Sequence, residues 1–308
     1  MSVTVVGSLN EDVLVAVDRL PGRGQTVIAR TATLAPGGKG ANQAAAAGLL
    51  GPGVHMVGRV GDDPAGARQL AALAASRVNV GRVLRTAGVP TGSATIPVED
   101  GTGENLIVVV PGANARLAPA DVDVPSVRDA RVLWLQLEVP LATVRAAAER
   151  ATGTVVLTPA PPQPLPADLL DRVGLLVPNE HELVQLAGAQ PADRSAAELV
   201  ALARAVTPGS VVVTLGGRGA LLVPRDGGPA LLQEPPPVTA VDTTGAGDCF
   251  CGALAQALAA GAGQAGAVRY AVAAAALSTT GPGARGALPD DDAVRTGMSR
   301  VPTAVPVG

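Results

Sequence analysis

The chain has 308 residues, a hydrophobic fraction of 47% and a net charge of −3, enough apolar material for one large α/β domain or two small ones. Its only aromatics are Trp134, Phe250 and Tyr270, and its only imidazoles are His55 and His181, so stacking platforms for bases and a His/Cys metal cluster both lack material. Basic residues are scattered and no apolar run approaches the roughly 18 residues of a membrane helix, so neither nucleic acid nor a membrane is expected as a partner.

The chain opens on "MSVTVVGSLNEDV", which has no basic flank before its apolar run and two acids directly after it. This reads as a first strand rather than a secretory signal, and the cytoplasm is the expected compartment. Short Val/Leu-rich runs at 3–7, 54–58, 131–138, 154–158, 174–178 and 210–215 read as buried strands. The segments 41–50, 64–76, 141–151, 180–187 and 195–206 between them read as helices. Strands apolar on both faces and alternating with helices predict a largely parallel sheet covered on both sides. Helices at 248–260 and 264–280, and a short one after Pro289, close the chain.

Two segments break the rhythm. Residues 12–34 hold "VLVAVD" and "TVIARTATLA" around a Pro-Gly turn, and 91–110 hold two β-rich runs around Asp100-Gly101, a hairpin signal. Together they predict a small, mostly antiparallel sheet with one face in need of cover, from a ligand, a second subunit or both. Cys249 and Cys251 stand two apart in a helix; they point in different directions and are expected to be small packing residues rather than a disulfide.

Glycine-rich stretches raise the question of a nucleotide. "APGGKGANQ" (35–43) has the Gly-Lys pair of a phosphate loop, but Gly40 stands where a Ser/Thr hydroxyl is needed and Thr33 where the first glycine belongs, so a Walker A loop fails. Gly245-Ala246-Gly247 begins a dinucleotide fingerprint whose third glycine is replaced by Phe250. What remains is "VDTTGAGDCFCGALAQAL" (241–258), an extended segment, a Thr/Gly turn and a helix starting near Asp248. The unpaired N–H groups of a helix start attract an anion, and Gly245, Ala246 and Gly247 leave it room to approach. Asp248 just beyond can take a proton from an attacking hydroxyl. Taken alone, an acid there is also an ordinary complement to the helix dipole.

"AVDTTGAGDCFCGAL" (240–254) resembles the C-terminal signature of the ribokinase (PfkB-type) family of sugar kinases, and "GGKGANQAAAAG" (37–48) its N-terminal signature. "VVGSLNEDVL", "GENLIVVVPGANARL", "LQLEVPL", "TPAP", "VPNEHEL" and "VTLGGRGA" resemble the intervening family segments in the same order. The resemblance implies a three-layer α/β fold with a mainly parallel central sheet, read as a single catalytic domain over residues 1–308 with a β lid at about 12–36 and 91–112. It implies ATP-dependent phosphorylation of D-ribose at O5; a kinase for another sugar or a nucleoside, and a non-catalytic sugar- or nucleotide-binding protein, are the alternatives.

Residue by residue, Asp248 matches the family's catalytic base and Gly245, Ala246 and Gly247 its anion hole. Asn10, Asp12, Gly38, Lys39, Asn42 and Glu138 match the sugar pocket. Asn179 and Glu182 match a motif near magnesium and phosphate, and Thr214, Gly216 and Gly219 the nucleotide loop, with Gly247 contributing from the anion hole. Asp242, Thr244, Ser278, Gly281 and Gly283 match a potassium site built largely of backbone carbonyls. Two positions depart from the family: Ala287 replaces a serine near that cation, and Val272 a histidine near the adenine. The near absence of aromatics disfavours a nucleoside, and a homodimer through the lid is expected.

Overall fold

In the computed structural model, which describes residues 2–307, the apolar runs form the strands that the alternation predicts, joined by helices on both faces. In chain order the first half comprises β1 (Val3–Val6), β2 (Asn10–Val17), β3 (Ala29–Gly37), α1 (Lys39–Leu50), β4 (Val54–Gly61), α2 (Pro64–Ala75), β5 (Asn79–Thr86), β6 (Gly92–Glu99) and β7 (Val108–Val110). The middle comprises α3 (Pro125–Arg128), β8 (Val132–Leu135), α4 (Leu141–Arg150), β9 (Thr154–Leu157), α5 (Ala167–Leu170), β10 (Leu175–Leu176), α6 (Glu180–Leu186), α7 (Ala196–Val206) and β11 (Ser210–Thr214). The remainder comprises β12 (Ala220–Val223), β13 (Ala230–Gln233), α8 (Ala246–Ala259), α9 (Gln264–Ser278), α10 (Asp291–Gly297) and β14 (Val305–Val307).

Ten strands form the main sheet in the order β14-β13-β12-β11-β10-β9-β8-β1-β4-β5. The pairings from β11 through β5 are parallel; β12, β13 and β14 form an antiparallel edge. Side chains alternate between two cores, as in β8, where Val132 and Trp134 face the cluster under α1, α8 and α9 while Leu133 and Leu135 face the one under α4 and α7. Alanines dominate α1, α8 and α9, which lets these helices approach one another closely. Cys249 and Cys251 are free and buried in this layer. Among the described residues no helix is long and apolar enough to cross a membrane.

From β1 the chain moves out to β4 and β5 on one side, then returns to build β8 through β11 on the other. The order therefore reverses between β1 and β8, and the crevice past the carboxyl ends of strands at such a point is where ligands of open α/β sheets bind. The second sheet, order β3-β2-β6-β7, stands beside that crevice. Its β2–β3 and β6–β7 pairs are antiparallel and its central β2–β6 pair parallel. Asp100-Gly101 turns the chain between β6 and β7, with Gly101 at φ 81°.

Candidate active site

The site is assembled from the loops that leave β1 and β8 and from the first turns of α1 and α8. Past β1 the chain enters β2 at Asn10, which pairs with Gly37 on one side and Gly92 on the other. Gly92 leaves space for Asn114, whose Nδ2 donates to Asn10 Oδ1 at 2.7 Å and whose Oδ1 accepts from Leu9 N–H at 2.9 Å. Asp12 lies two residues along the same strand, on the same face, with its carboxylate against Gly37; a Cβ at Gly37 would collide with it. Gln69 of α2 ties this base together by donating to the carbonyls of Asn10 and Gly37.

Gly38 caps α1 in the left-handed region (φ 87°), where a Cβ would lie 2.8 Å from Asn10 N. The N–H groups of the first turn are all occupied. Lys39 N–H donates to Glu138 Oε2 (3.1 Å), Gly40 N–H to Ser8 Oγ (3.3 Å), Ala41 N–H to Ser8 O (2.9 Å) and Asn42 N–H to Gly38 O (2.9 Å). Ser8 Oγ in turn donates to Glu138 Oε2. Glu138 thus braces the start of α1.

The start of α8 differs. Gly245 caps it in the left-handed region (φ 75°), against Ala284, and the helix begins at Ala246, two residues before the sequence reading placed it. Asp248 therefore sits inside the first turn. Among the described residues the N–H groups of Gly245, Gly247 and Asp248 make no hydrogen bond, and a Cβ on Gly247 would meet nothing within 4 Å. Open donors at a helix N-terminus are suited to an anion.

Two amide relays hold Asp248. Asn42 Nδ2 donates to Oδ2 and Gln43 Nε2 to Oδ1, both at 3.0 Å. Behind them Arg285 Nε donates to Asn42 Oδ1 (2.8 Å) and Gln136 Nε2 to Gln43 Oε1 (2.6 Å). One donor on each oxygen fixes the carboxylate plane and leaves further acceptor capacity for a substrate hydroxyl.

Burial pushes the Asp248 carboxyl above the usual carboxylate range, against the pull of Lys39 and the two amides. Burial and the neighbouring Glu138 carry Asp12 up to about 6. Burial alone would lower the Lys39 ammonium, but Asp248, Glu138 and Glu182 outweigh it and hold it above its ordinary value. Lys39 thus lies in the field of carboxylates from both halves of the crevice.

On the other half, Asn179 caps α6 in a reciprocal box with Glu182. Asn179 Oδ1 accepts from Glu182 N–H (2.8 Å), while Glu182 accepts from Asn179 N–H (2.8 Å) and Nδ2 (2.9 Å). Burial raises the Glu182 carboxyl. Thr214 bridges to Asn179 at the end of β11, and Gly216 beyond it, at φ 57°, faces open space. Gly219, at φ 90°, is packed instead on the Gln233 carbonyl. His181 is exposed.

Asp242 accepts from Thr244 N–H and Gly283 N–H, both at 2.8 Å, and so draws the 242–244 turn onto the 281–283 loop. These bonds outweigh burial and hold its carboxyl below the usual range. Ser278 turns its hydroxyl back to Ala275 O (2.8 Å), leaving its own carbonyl as the group it can offer outward. Gly281 packs on Ala287, and Val272 is buried in α9. Among the described residues no cluster of three or more His, Cys, Asp or Glu side chains is arranged for a metal ion.

The structure thus gathers Asn10, Asp12, Gly38, Lys39, Asn42, Glu138 and Asp248 at one crevice. It also brings in residues the sequence reading passed over: Ser8, Gln43, Asn114, Gln136 and Arg285. Gln43 carried a signal, being a second amide beside Asn42 in an otherwise alanine-rich helix. Arg285 carried none.

Residues 1–291 match the pfkB family of carbohydrate kinases. A ribokinase of Bacillus subtilis is 36% identical over 304 residues, covering 97% of this chain and 99% of that protein. A deoxyribokinase of Salmonella typhi is 35% identical over 300 residues, covering 94% and 96%. The structure of the Arabidopsis thaliana ribokinase complexed with ribose and ATP superposes with a TM-score of 0.84 at 34% identity, over 96% of this chain and 98% of that one. With near-complete coverage in sequence and in fold, and a half-buried carboxylate held beside open helix-terminal N–H groups, the chain belongs to the pfkB family of carbohydrate kinases.

Proposed function

We propose that the protein transfers the γ-phosphoryl group of ATP to O5 of D-ribose, giving ribose 5-phosphate and ADP. The observation that carries this reading is the setting of Asp248, a half-buried carboxylate fixed by two amides in the first turn of a helix that, among the described residues, has unpaired N–H groups. Asp248 accepts the O5 proton as O5 bonds to the γ-phosphorus and the bond from that phosphorus to the β,γ-bridging oxygen breaks. A carboxyl raised by burial is better matched to a proton transfer near neutral pH than an ordinary aspartate. The N–H groups of Gly245, Gly247 and Asp248 stabilise charge on the equatorial phosphoryl oxygens, with Ala246 completing the turn. Asn10, Asp12, Gly38, Lys39, Asn42 and Glu138 receive the sugar, and Thr214, Gly216 and Gly219 line the nucleotide side.

Asn179 and Glu182 suit a divalent cation such as Mg²⁺ reached through water, where it would neutralise phosphate charge. Carbonyls of the loops that Asp242 ties together, with Thr244, Ser278, Gly281 and Gly283, suit a monovalent cation such as K⁺.

The small sheet is read as the lid over the sugar, about 12–36 and 91–112. Its exposed Leu34, Val108 and Val110, which the strand registers set on one face, support a homodimer through the lids, since an apolar sheet face calls for cover. A monomeric mass by light scattering at micromolar concentration, ligand present, contradicts that assembly.

The assay that tests the function is ATP-coupled turnover of ribose, 2-deoxyribose, fructose and adenosine, with and without potassium. Ribose is expected to be preferred, and preferential turnover of a nucleoside overturns the assignment. The similarity to a deoxyribokinase makes 2-deoxyribose the second reading, separated from the first by a single hydroxyl.

A further inference from the structure

Arg285 lies on the loop between α9 and α10, outside every motif, yet its side chain reaches the base of the sugar crevice. Its Nε donates to Asn42 Oδ1 at 2.8 Å, and its Nη2 makes longer contacts with Gly37 O and Gln69 Oε1, both 3.4 Å. Among the described residues its Nη1 is buried without a partner. At the same residue, Gly37, lies the complementary orphan: the carboxylate of Asp12, whose Oδ1 is also buried without a partner. Among the described residues the two side chains form no ion pair.

Leaving a buried charged donor and a buried charged acceptor unmade is costly, and the two orphans have opposite requirements. A guanidinium only donates and a carboxylate only accepts, whereas a hydroxyl does both. The primary hydroxyl, O5, is assigned to Asp248, so the group that suits this second position is a hydroxyl on the sugar ring.

Resting on the sugar-kinase reading above, we propose that Arg285 is a sugar-binding residue, its Nη1 donating to a ring hydroxyl that in turn donates to Asp12, and that this pair helps set which sugar is accepted. Burial brings the guanidinium down to about 10, opposed by Asp248 and Asp12; it remains charged at neutral pH. Asn42 accepts from Arg285 and donates to Asp248, so occupancy of the ring-hydroxyl position and orientation of the base share one amide.

The test is a cycle between side chain and substrate. Wild type, Arg285→Met and Arg285→Lys are assayed at saturating ATP with ribose, 2-deoxyribose, 3-deoxyribose and 1,4-anhydroribitol, the last lacking O1. Arg285→Met is expected to raise the KM for ribose about 10- to 100-fold, the range of a charge-assisted hydrogen bond, with a smaller change in kcat; Arg285→Lys should recover part of the loss. One analogue, the one lacking the contacted hydroxyl, should be discriminated against less by Arg285→Met than by wild type, the remaining discrimination coming from Asp12.

If the variant and wild type discriminate equally against every analogue, the proposal is overturned, even where kcat falls, because Arg285 then acts only by supporting Asn42. Thermal melts accompany the kinetics; if Arg285→Met does not fold, Arg285→Lys, which lacks the planar fork, carries the same cycle. If wild type prefers a different sugar, the ribose assignment fails separately, and the cycle is run on that sugar and its deoxy analogues.

Discussion

The first turns of α1 and α8 look alike on paper, each a glycine-rich turn entering a helix of small residues, and the structure uses them in opposite ways. At α1 the glycines bring protein against protein. Gly40 lies on the backbone of Gly7 and Ser8, where a Cβ would stand 2.7 Å from Ser8 N, and Ser8, Glu138 and Gly38 consume the N–H groups. At α8, Gly245 packs on Ala284 while Gly247 faces open space with its N–H unpaired. A glycine-rich helix start is an anion site only when its donors are unspent. At α1 the helix terminus is committed to holding side chains in register; at α8 it is available to a ligand.

The largest effect should come from Asp248→Asn. Removing the base is expected to lower kcat by roughly 10²–10⁴ while ATP binding, followed by calorimetry, persists; near-normal turnover would remove Asp248 from the chemistry. Next, Gly40→Ala should destabilise the fold by about 1–3 kcal/mol through overpacking, read as a lower midpoint in urea. An unchanged midpoint would mean that α1 is not held as tightly as its contacts imply.

Asp12 makes the cost of the sugar side visible as a pH dependence. Its carboxyl is raised from 3.8 to about 6, so the folded protein holds this proton more tightly than the unfolded chain does. The stability contributed by that proton is present in full below about pH 4 and is lost as pH rises through about 6. Asp12→Asn should therefore stabilise the protein at pH 7 by about 1–2 kcal/mol, with the gain vanishing near pH 4, and should weaken ribose binding at pH 7. In wild type, ribose affinity should fall as pH drops below about 6, a limb that Asp12→Asn flattens. Thermal melts and sugar titrations across pH 4–8 check both signs.

The smallest effect is the one most specific to the comparison. Gly247→Ala meets no neighbour and replaces a glycine in a helix, so stability should hold or rise by about 0.5–1 kcal/mol. The added methyl crowds the free N–H groups, and kcat should fall about 10-fold, on the order of 1.4 kcal/mol of barrier. If Gly247→Ala unfolds the protein while Gly40→Ala is silent, the two helix starts have been assigned the wrong way round.

Much of the fold is legible because buried parallel strands are short apolar runs and their crossover helices are alanine-rich. The central strands β1, β4, β8, β9, β10 and β11 were readable on that basis. Strands β5, β13 and β14 were not, since they lie at or near the sheet edges and bury few of their positions; β12, whose four residues are all buried, fits the rule and was passed over. In the crevice, Asp248, Asn42 and Lys39 were reachable from motifs, and Glu138 only through the family resemblance, since an acid at a strand end reads by itself as a surface group. Gln136 and Arg285 were not, because a buried polar side chain reveals its partner only after the chain has folded.

The sequence by itself determined the apolar periodicity that builds a covered parallel sheet, the small residues that let α1 and α8 approach, and the acid at the start of α8. These follow from side-chain size, polarity and local spacing. Only the tertiary structure decided which helix start keeps its donors free, because Ser8 and Glu138 come from other strands. It also set the unpartnered Nη1 end of a guanidinium and the unpartnered Oδ1 of a carboxylate beside the same glycine, a juxtaposition between residues 12 and 285 that no local pattern encodes.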